Sequence, residues 1–257
     1  MNERFTLVHG LEGDFLTLNN DTGVSQTIRE TGVWAERDVA LFKRLVRPGM
    51  HVADIGANLG HHTVVFSKCV GPSGSVISCE PQRLLFQLLN ANLALNGCGN
   101  VVAHQCAAGE TTRKIRLWPT DYERQDNFGA LSLSKHLGEF QLDHHGEEAP
   151  MLTTDELLTP HAEERGGLGF VKLDVQAYEL FCLRGARETL QRFKPMVFLE
   201  ISPHWMSRMG YDYREVYRFL EEVGYRVFEP DRSMTETAGV RVWDGDPNAN
   251  WDILALP

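Results

Sequence analysis

The alternation of hydrophobic period between residues 51 and 106 constrains this chain more than any other feature. Residues 51–56 (HVADIG) read as a strand, 60–69 as a helix opened by glycine, and 75–80 (SVISCE) as a strand. A helix carrying Leu84, Leu85, Leu88, Leu89 and Leu95 follows over 82–95, then a strand over 101–106 (VVAHQC). Strands separated by helices need crossover connections, so they run parallel in one sheet. The rhythm breaks over 107–165, which holds a strand KIRLW (114–118), the polar YERQDNFG, an SLS strand and the segment LDHHGEE. A stretch this long inside a compact domain is often functional.

The alternation resumes with GFVKLDV (169–175), a helix over 177–192, PMVFLEI (195–201), a helix near 212–223, YRVFE (225–229) and WDILAL (251–256). No strong helix separates the last two strands, so they are expected to pair as an antiparallel edge. Upstream, residues 4–18 break at His9-Gly10 and Glu12-Gly13 like a short hairpin. Residues 34–46 set Trp34, Val39, Phe42, Leu45 and Val46 on one helical face, ended by Pro48-Gly49. The expected fold class is α/β, a Rossmann-like sheet of seven strands, mostly parallel with an antiparallel last strand. Residues 1–48 form an N-terminal hairpin and helix packing on a core domain of 49–257, which carries an insertion over about 107–165.

Charge narrows the partners. A net charge of −10, with no Lys/Arg-rich run, argues against nucleic acid, because binding a polyanion needs a basic surface. No stretch of 18 apolar residues exists, so no membrane span is expected. The start, MNERFTLVHG, lacks a basic segment followed by an apolar run, and a cytoplasmic protein is expected. Cys69, Cys79, Cys98, Cys106 and Cys182 are odd in number and form no CxxC pair, which suits reduced thiols better than a zinc site. A homo-oligomer is left open.

The sharpest local signal is VADIGANLGHHT, residues 52–63. A strand ends in Asp54, turns through Gly56, Ala57, Asn58 and Gly60, and opens a helix. Glycine at such a turn lets a ligand approach the backbone. The next strand ends in Glu80-Pro81. Neighbouring parallel strands lie about 4.8 Å apart, so Glu80 comes beside the turn, where a carboxylate accepts both ribose hydroxyls. Capping of the following helix is the plain alternative for Glu80. A dinucleotide site wants G-x-G-x-x-G, but this turn reads G-A-N-L-G with Asp54 before it. A carboxylate repels a pyrophosphate and attracts an ammonium or sulfonium, which tilts the choice from NAD to S-adenosylmethionine.

The ordered set of segments resembles the FkbM-type methyltransferases from about residue 30 to the C-terminus. It comprises RPGMHVADIGANLGHHT, VISCEPQ, NANLALNG, DNFGALSL, TTDELL, FVKLDVQAYELFCLRGA, RFKPMVFLEI, VGYRVF and WDILALP. KLDV, then ELxxLRGA, then KPxxFLEI is its most specific part. The resemblance implies S-adenosylmethionine binding and O-methylation of a small molecule, often a sugar or a natural-product hydroxyl. One departure stands out. Relatives carry a D-x-E-G-x-E pattern, whereas this chain reads Asp174-Val175-Gln176-Ala177-Tyr178-Glu179, so the role of the missing acid is lost or moved to Glu179.

Methyl transfer asks the protein mainly for alignment and for a base at the acceptor. Asp174 and Glu200 end adjacent strands at the carboxyl edge of the sheet, where they orient an acceptor, bind the methionine ammonium of the cofactor or hold Mg²⁺. The metal is the less favoured reading, since Gln176 removes a carboxylate. His204, in ISPHWM, is the histidine preferred as base. His61 and His62 open the helix after the glycine turn, one expected to face the cofactor and the other the sheet. His144-His145 reads as a solvated loop, and Glu36 as a surface helix residue. Asn127 and Gly129 suit contact with acceptor or cofactor, or a hairpin turn, equally, and Ala107 sits where adenine passes. N-methylation of a peptide or amine, and a nucleotide-binding protein without methyl transfer, are the competing classes.

Overall fold

The computed structural model describes residues 4–117, 119–130, 146–229, 235–236, 241 and 244–257. The chain opens with an antiparallel hairpin, β1 (Phe5–Gly10) and β2 (Gly13–Leu18), followed by α1 (Val24–Thr31) and α2 (Glu36–Leu45). Then come β3 (His51–Ile55), α3 (His61–Val70), β4 (Ser75–Cys79), α4 (Arg83–Leu95) and β5 (Val101–His104). The expected strand over 101–106 is shorter. It ends at His104, and the chain turns away into β6 (Ala107–Gly109), β7 (Arg113–Arg116) and β8 (Glu148–Thr153). These three make a separate small sheet in the order β6-β8-β7. The expected SLS strand and His144-His145 lie outside the described residues.

The main chain resumes with α5 (Thr154–Arg165), whose Thr153 and Glu156 form a reciprocal capping box. After β9 (Phe170–Leu173), the helix expected over 177–192 is two short ones, α6 (Glu179–Arg184) and α7 (Arg187–Phe193). There follow β10 (Met196–Ile201), α8 (Pro203–Arg208), α9 (Arg214–Glu222), β11 (Arg226–Glu229), the two-residue β12 (Thr235–Glu236) and β13 (Trp251–Leu256).

The large sheet runs β12-β11-β13-β10-β9-β3-β4-β5. Its strands from β10 to β5 are parallel, as the crossover helices require. β13 is antiparallel and pairs with β11 at that end of the sheet, as expected, with its other side on β10. Strand order reverses around β3: the chain first builds outward through β4 and β5, then returns to build through β9 and β10. A crevice for ligands opens at such a switch point, beyond the carboxyl ends of the strands.

The N-terminal unit is bound into this core. Phe42 of α2 packs its ring 4.9 Å from those of Phe66 and Phe198, and all three are buried. The hairpin is tied to α4 through Asn92, whose Oδ1 accepts from the Leu16 N–H (2.6 Å) while its Nδ2 donates to the Leu59 carbonyl (2.8 Å). Among the described residues no helix is long and apolar enough to cross a membrane.

Candidate active site

A cavity of about 370 Å³ opens at the carboxyl ends of β3, β4, β9 and β10. Its floor is the glycine turn. Gly56 has φ +81°, and a Cβ there would collide with the Asp174 carbonyl, so only glycine fits. The N–H groups of Gly56 and Ala57 donate to the Cys79 carbonyl at 3.0 and 2.9 Å, which locks the turn against the end of β4.

Glu80 leaves that strand end and meets the turn. Its Oε2 accepts from the Asn58 N–H (3.0 Å) and its Oε1 from the Gln82 N–H (2.9 Å). The side chain therefore caps the approach to α4 and lines the cavity at once. Only 5% exposed, it has its pKa pushed up to about 7, because burial outweighs the two N–H donors. Pro81, Ala107, Asn127 and Gly129 line the same side, with Cys106 and Ala108.

Two residues of the glycine turn do something other than expected. Asp54 is fully buried and does not line the cavity. Its Oδ2 accepts from Thr63 Oγ1 (2.6 Å) and its Oδ1 pairs with Lys172 Nζ (3.1 Å). Its charge is spent inside the sheet and does not face a ligand. Gly60 caps α3 with φ +92°, and a Cβ there would come within 2.6 Å of Leu89 Cδ1. It also lies off the cavity wall, so the glycine serves helix packing.

Lys172 was not singled out in the sequence, although a lysine between Val171 and Leu173 in a fully buried strand was a signal to follow. It reaches Asp54, the Gly56 carbonyl (3.4 Å) and Asp174 Oδ2 (3.6 Å). Burial pulls its pKa down, but the charges of Asp54 and Asp174 outweigh that and leave it raised.

Asp174 and Glu200 both line the cavity. The Leu173–Leu199 pairing of β9 with β10 brings them side by side. Gln176 donates from Nε2 to Asp174 Oδ1 at 2.9 Å. Gln176 and Ala177 both adopt left-handed backbone, φ +54° and +70°. Glu179 does not replace the missing acid at the wall. It is 1% exposed and off the cavity; Oε1 accepts from the Val175 N–H (3.2 Å) and Oε2 has no partner. Burial pushes its pKa to about 8. Glu200 accepts from Ser202 Oγ (2.9 Å), and burial, then Asp174, raise its pKa to about 7.

The histidines fall differently from expectation. His204 is not among the lining residues, and its ring packs edge-on to Trp205, centroids 5.2 Å apart. Trp205 takes the wall position instead. His61 and His62 both line the cavity and are both buried. Burial lowers His61 to about 4 and His62 well below its ordinary value, so both rings are neutral near pH 7. Glu36 is exposed and off the wall. Trp34 and Asn250, from segments distant in sequence, complete the lining. Among the described residues, no three His, Cys, Asp or Glu side chains converge to hold a metal ion.

The family model described as Methyltransferase FkbM domain matches residues 54–227. A crystal structure of methyltransferase FkbM from Methylobacillus flagellatus KT superposes with TM-score 0.50 at 17% identity, over 85% of this chain and 50% of that one. The chain thus spans half the length of that structure, and the likeness is one of fold. Aeropyrum pernix fibrillarin, in complex with S-adenosyl-L-methionine, matches at TM-score 0.46 and 13% identity, over 98% of this chain and 94% of that one. A search among curated proteins returns no match.

Proposed function

The chain belongs to the FkbM methyltransferase family, and from that premise we propose that it transfers a methyl group from S-adenosylmethionine to a hydroxyl of a small molecule. The observation that carries this reading is Glu80, fixed by the N–H groups of Asn58 and Gln82 beside the glycine turn. Each of its oxygens already accepts one backbone donor and keeps a lone pair for a ribose hydroxyl. The turn 56–58 would hold the amino-acid part of the cofactor, and Pro81, Ala107, Asn127 and Gly129 would surround its base. When bound, S-adenosylmethionine supplies a methyl group already activated on a sulfonium.

The residues at the other end of the cavity receive the acceptor. Glu200, with its pKa near 7, is suited to take the hydroxyl proton, because a general base works best near the operating pH. That role passes to it from His204, whose ring is turned onto Trp205. Asp174, held by Lys172 and Gln176, orients the acceptor. The free thiols suit a cytosolic enzyme.

A thermal-shift panel of S-adenosylhomocysteine, NAD and ATP tests the cofactor, since only a ligand of the native state raises stability. S-adenosylhomocysteine alone is expected to stabilise. A labelled methyl-transfer screen over sugars, polyketides and peptides, with and without EDTA, tests the rest. Transfer only to peptides, or a rate abolished by EDTA and restored by Mg²⁺, would overturn the reading.

A further inference from the structure

The acceptor end of the cavity carries two acids, Asp174 and Glu200, and the polar side chains beside them donate to them: Gln176 to Asp174, Ser202 and Asn250 to Glu200. Of the charged side chains lining the whole cavity, Glu80, Asp174 and Glu200 are acids, and Lys172 is committed to Asp54, Asp174 and the Gly56 carbonyl. No arginine is among the described lining residues. His62 also lines the cavity, but its ring is buried, 6% exposed, and its unpartnered Nε2 is out of reach of solvent. Trp34 and Trp205 supply the aromatic surface.

Resting on the methyltransferase reading above, we propose that the acceptor is an amino-polyol, whose protonated amine is held by Asp174 and Glu200 against Trp205 beside the hydroxyl that is methylated. An anionic acceptor, such as a sugar phosphate, would meet two carboxylates and no free cation. An ammonium brings one charge, three N–H donors for the carboxylates, and affinity for an indole face.

The electrostatics of the wall agree. Glu200 is faced by Asp174 from the end of β9, by Asp38 from α2, by Glu179 from α6 and, across the ladder, by Asp252 of β13. Lys172, with Asp54 beside it, is the cation described among them. Burial, then Asp174, raise Glu200 to about 7, and burial raises Asp38 to about 6 against the pull of Lys172. An ammonium settling between Asp174 and Glu200 reverses that repulsion. It returns Glu200 to the carboxylate that accepts the hydroxyl proton, so the correct acceptor prepares its own base.

The test uses the full chain saturated with S-adenosylhomocysteine and titrated calorimetrically with matched probes: glucosamine against glucose, galactosamine against galactose, and glucamine against sorbitol. At least one amine should bind roughly tenfold or more tighter than its neutral twin, a margin that added salt should narrow. In Glu200→Gln the margin should shrink below about threefold while S-adenosylhomocysteine affinity stays. A complex that binds no amine tighter than its twin, whether it binds both or neither, overturns the proposal. So does a preference that survives Glu200→Gln and Asp174→Asn. Failure to bind S-adenosylhomocysteine is a different result, and it sinks the methyltransferase reading itself.

Discussion

Lys172 and Asp54 stand directly opposite each other in the β9–β3 ladder, their charged atoms 3.1 Å apart and their side chains 3% and 0% exposed. The pair lies under the glycine turn, and Lys172 Nζ also touches the Gly56 carbonyl. It therefore fixes the floor of the cavity from inside the sheet.

Removing one partner should be far worse than removing both. Lys172→Met leaves Asp54 charged and buried, which costs about 3–5 kcal/mol. The double variant Lys172→Met with Asp54→Leu should recover much of that loss in urea unfolding. Additive single effects would mean the two groups do not act as a pair.

Glu80→Ala should weaken S-adenosylhomocysteine binding by roughly 2–4 kcal/mol, the cost of losing charge-assisted hydrogen bonds. Calorimetry that finds unchanged affinity in a folded variant would remove Glu80 from the cofactor site.

Gly60 separates packing from binding. Gly60→Ala forces a left-handed backbone on a residue with a Cβ, worth about 1–2 kcal/mol, and presses on Leu89. The melting temperature should fall while the folded fraction keeps its cofactor affinity. Gly99→Ala, with nothing within 4 Å of the added Cβ, is the neutral control. A Gly60→Ala protein of normal stability but lost affinity would return Gly60 to the site.

The ligand-free chain should lose stability between pH 6.5 and about 8. Glu80 and Glu200 at about 7 and Glu179 at about 8 are all raised by burial from 4.5. The folded state binds their protons more tightly, so this stability is present at low pH and lost as pH rises through those values. His61, lowered by burial from 6.5 to about 4, works oppositely: its contribution is complete above 6.5 and fades as pH falls. Urea midpoints at pH 6.5 and 8 check the slope, which Glu179→Gln should flatten. A midpoint that rises over this interval would show these acids to be ionised without penalty.

What the sequence determined by itself was everything written in local pattern. Hydrophobic period marked most of the main-sheet strands, and the short β12 was not anticipated. The crossover rule made the sheet parallel, while GANLG and CEP placed a turn and an acid at neighbouring strand ends. Gly56, Asn58, Glu80, Asp174 and Glu200 were legible because strand ends of a parallel sheet converge whatever the rest of the chain does. Tertiary structure decided which way each side chain pointed and what answered it. Asp54 and Glu80 each belong to a strand-end acid motif, yet one turns inward to Lys172, 118 positions away, and the other meets the cavity. His204 and Trp205 are adjacent, and only the start of α8 selects the indole for the wall. Trp34 and Asn250 reach the site from opposite ends of the chain. Burial and partner choice are sums over contacts distant in sequence, and no local pattern carries them.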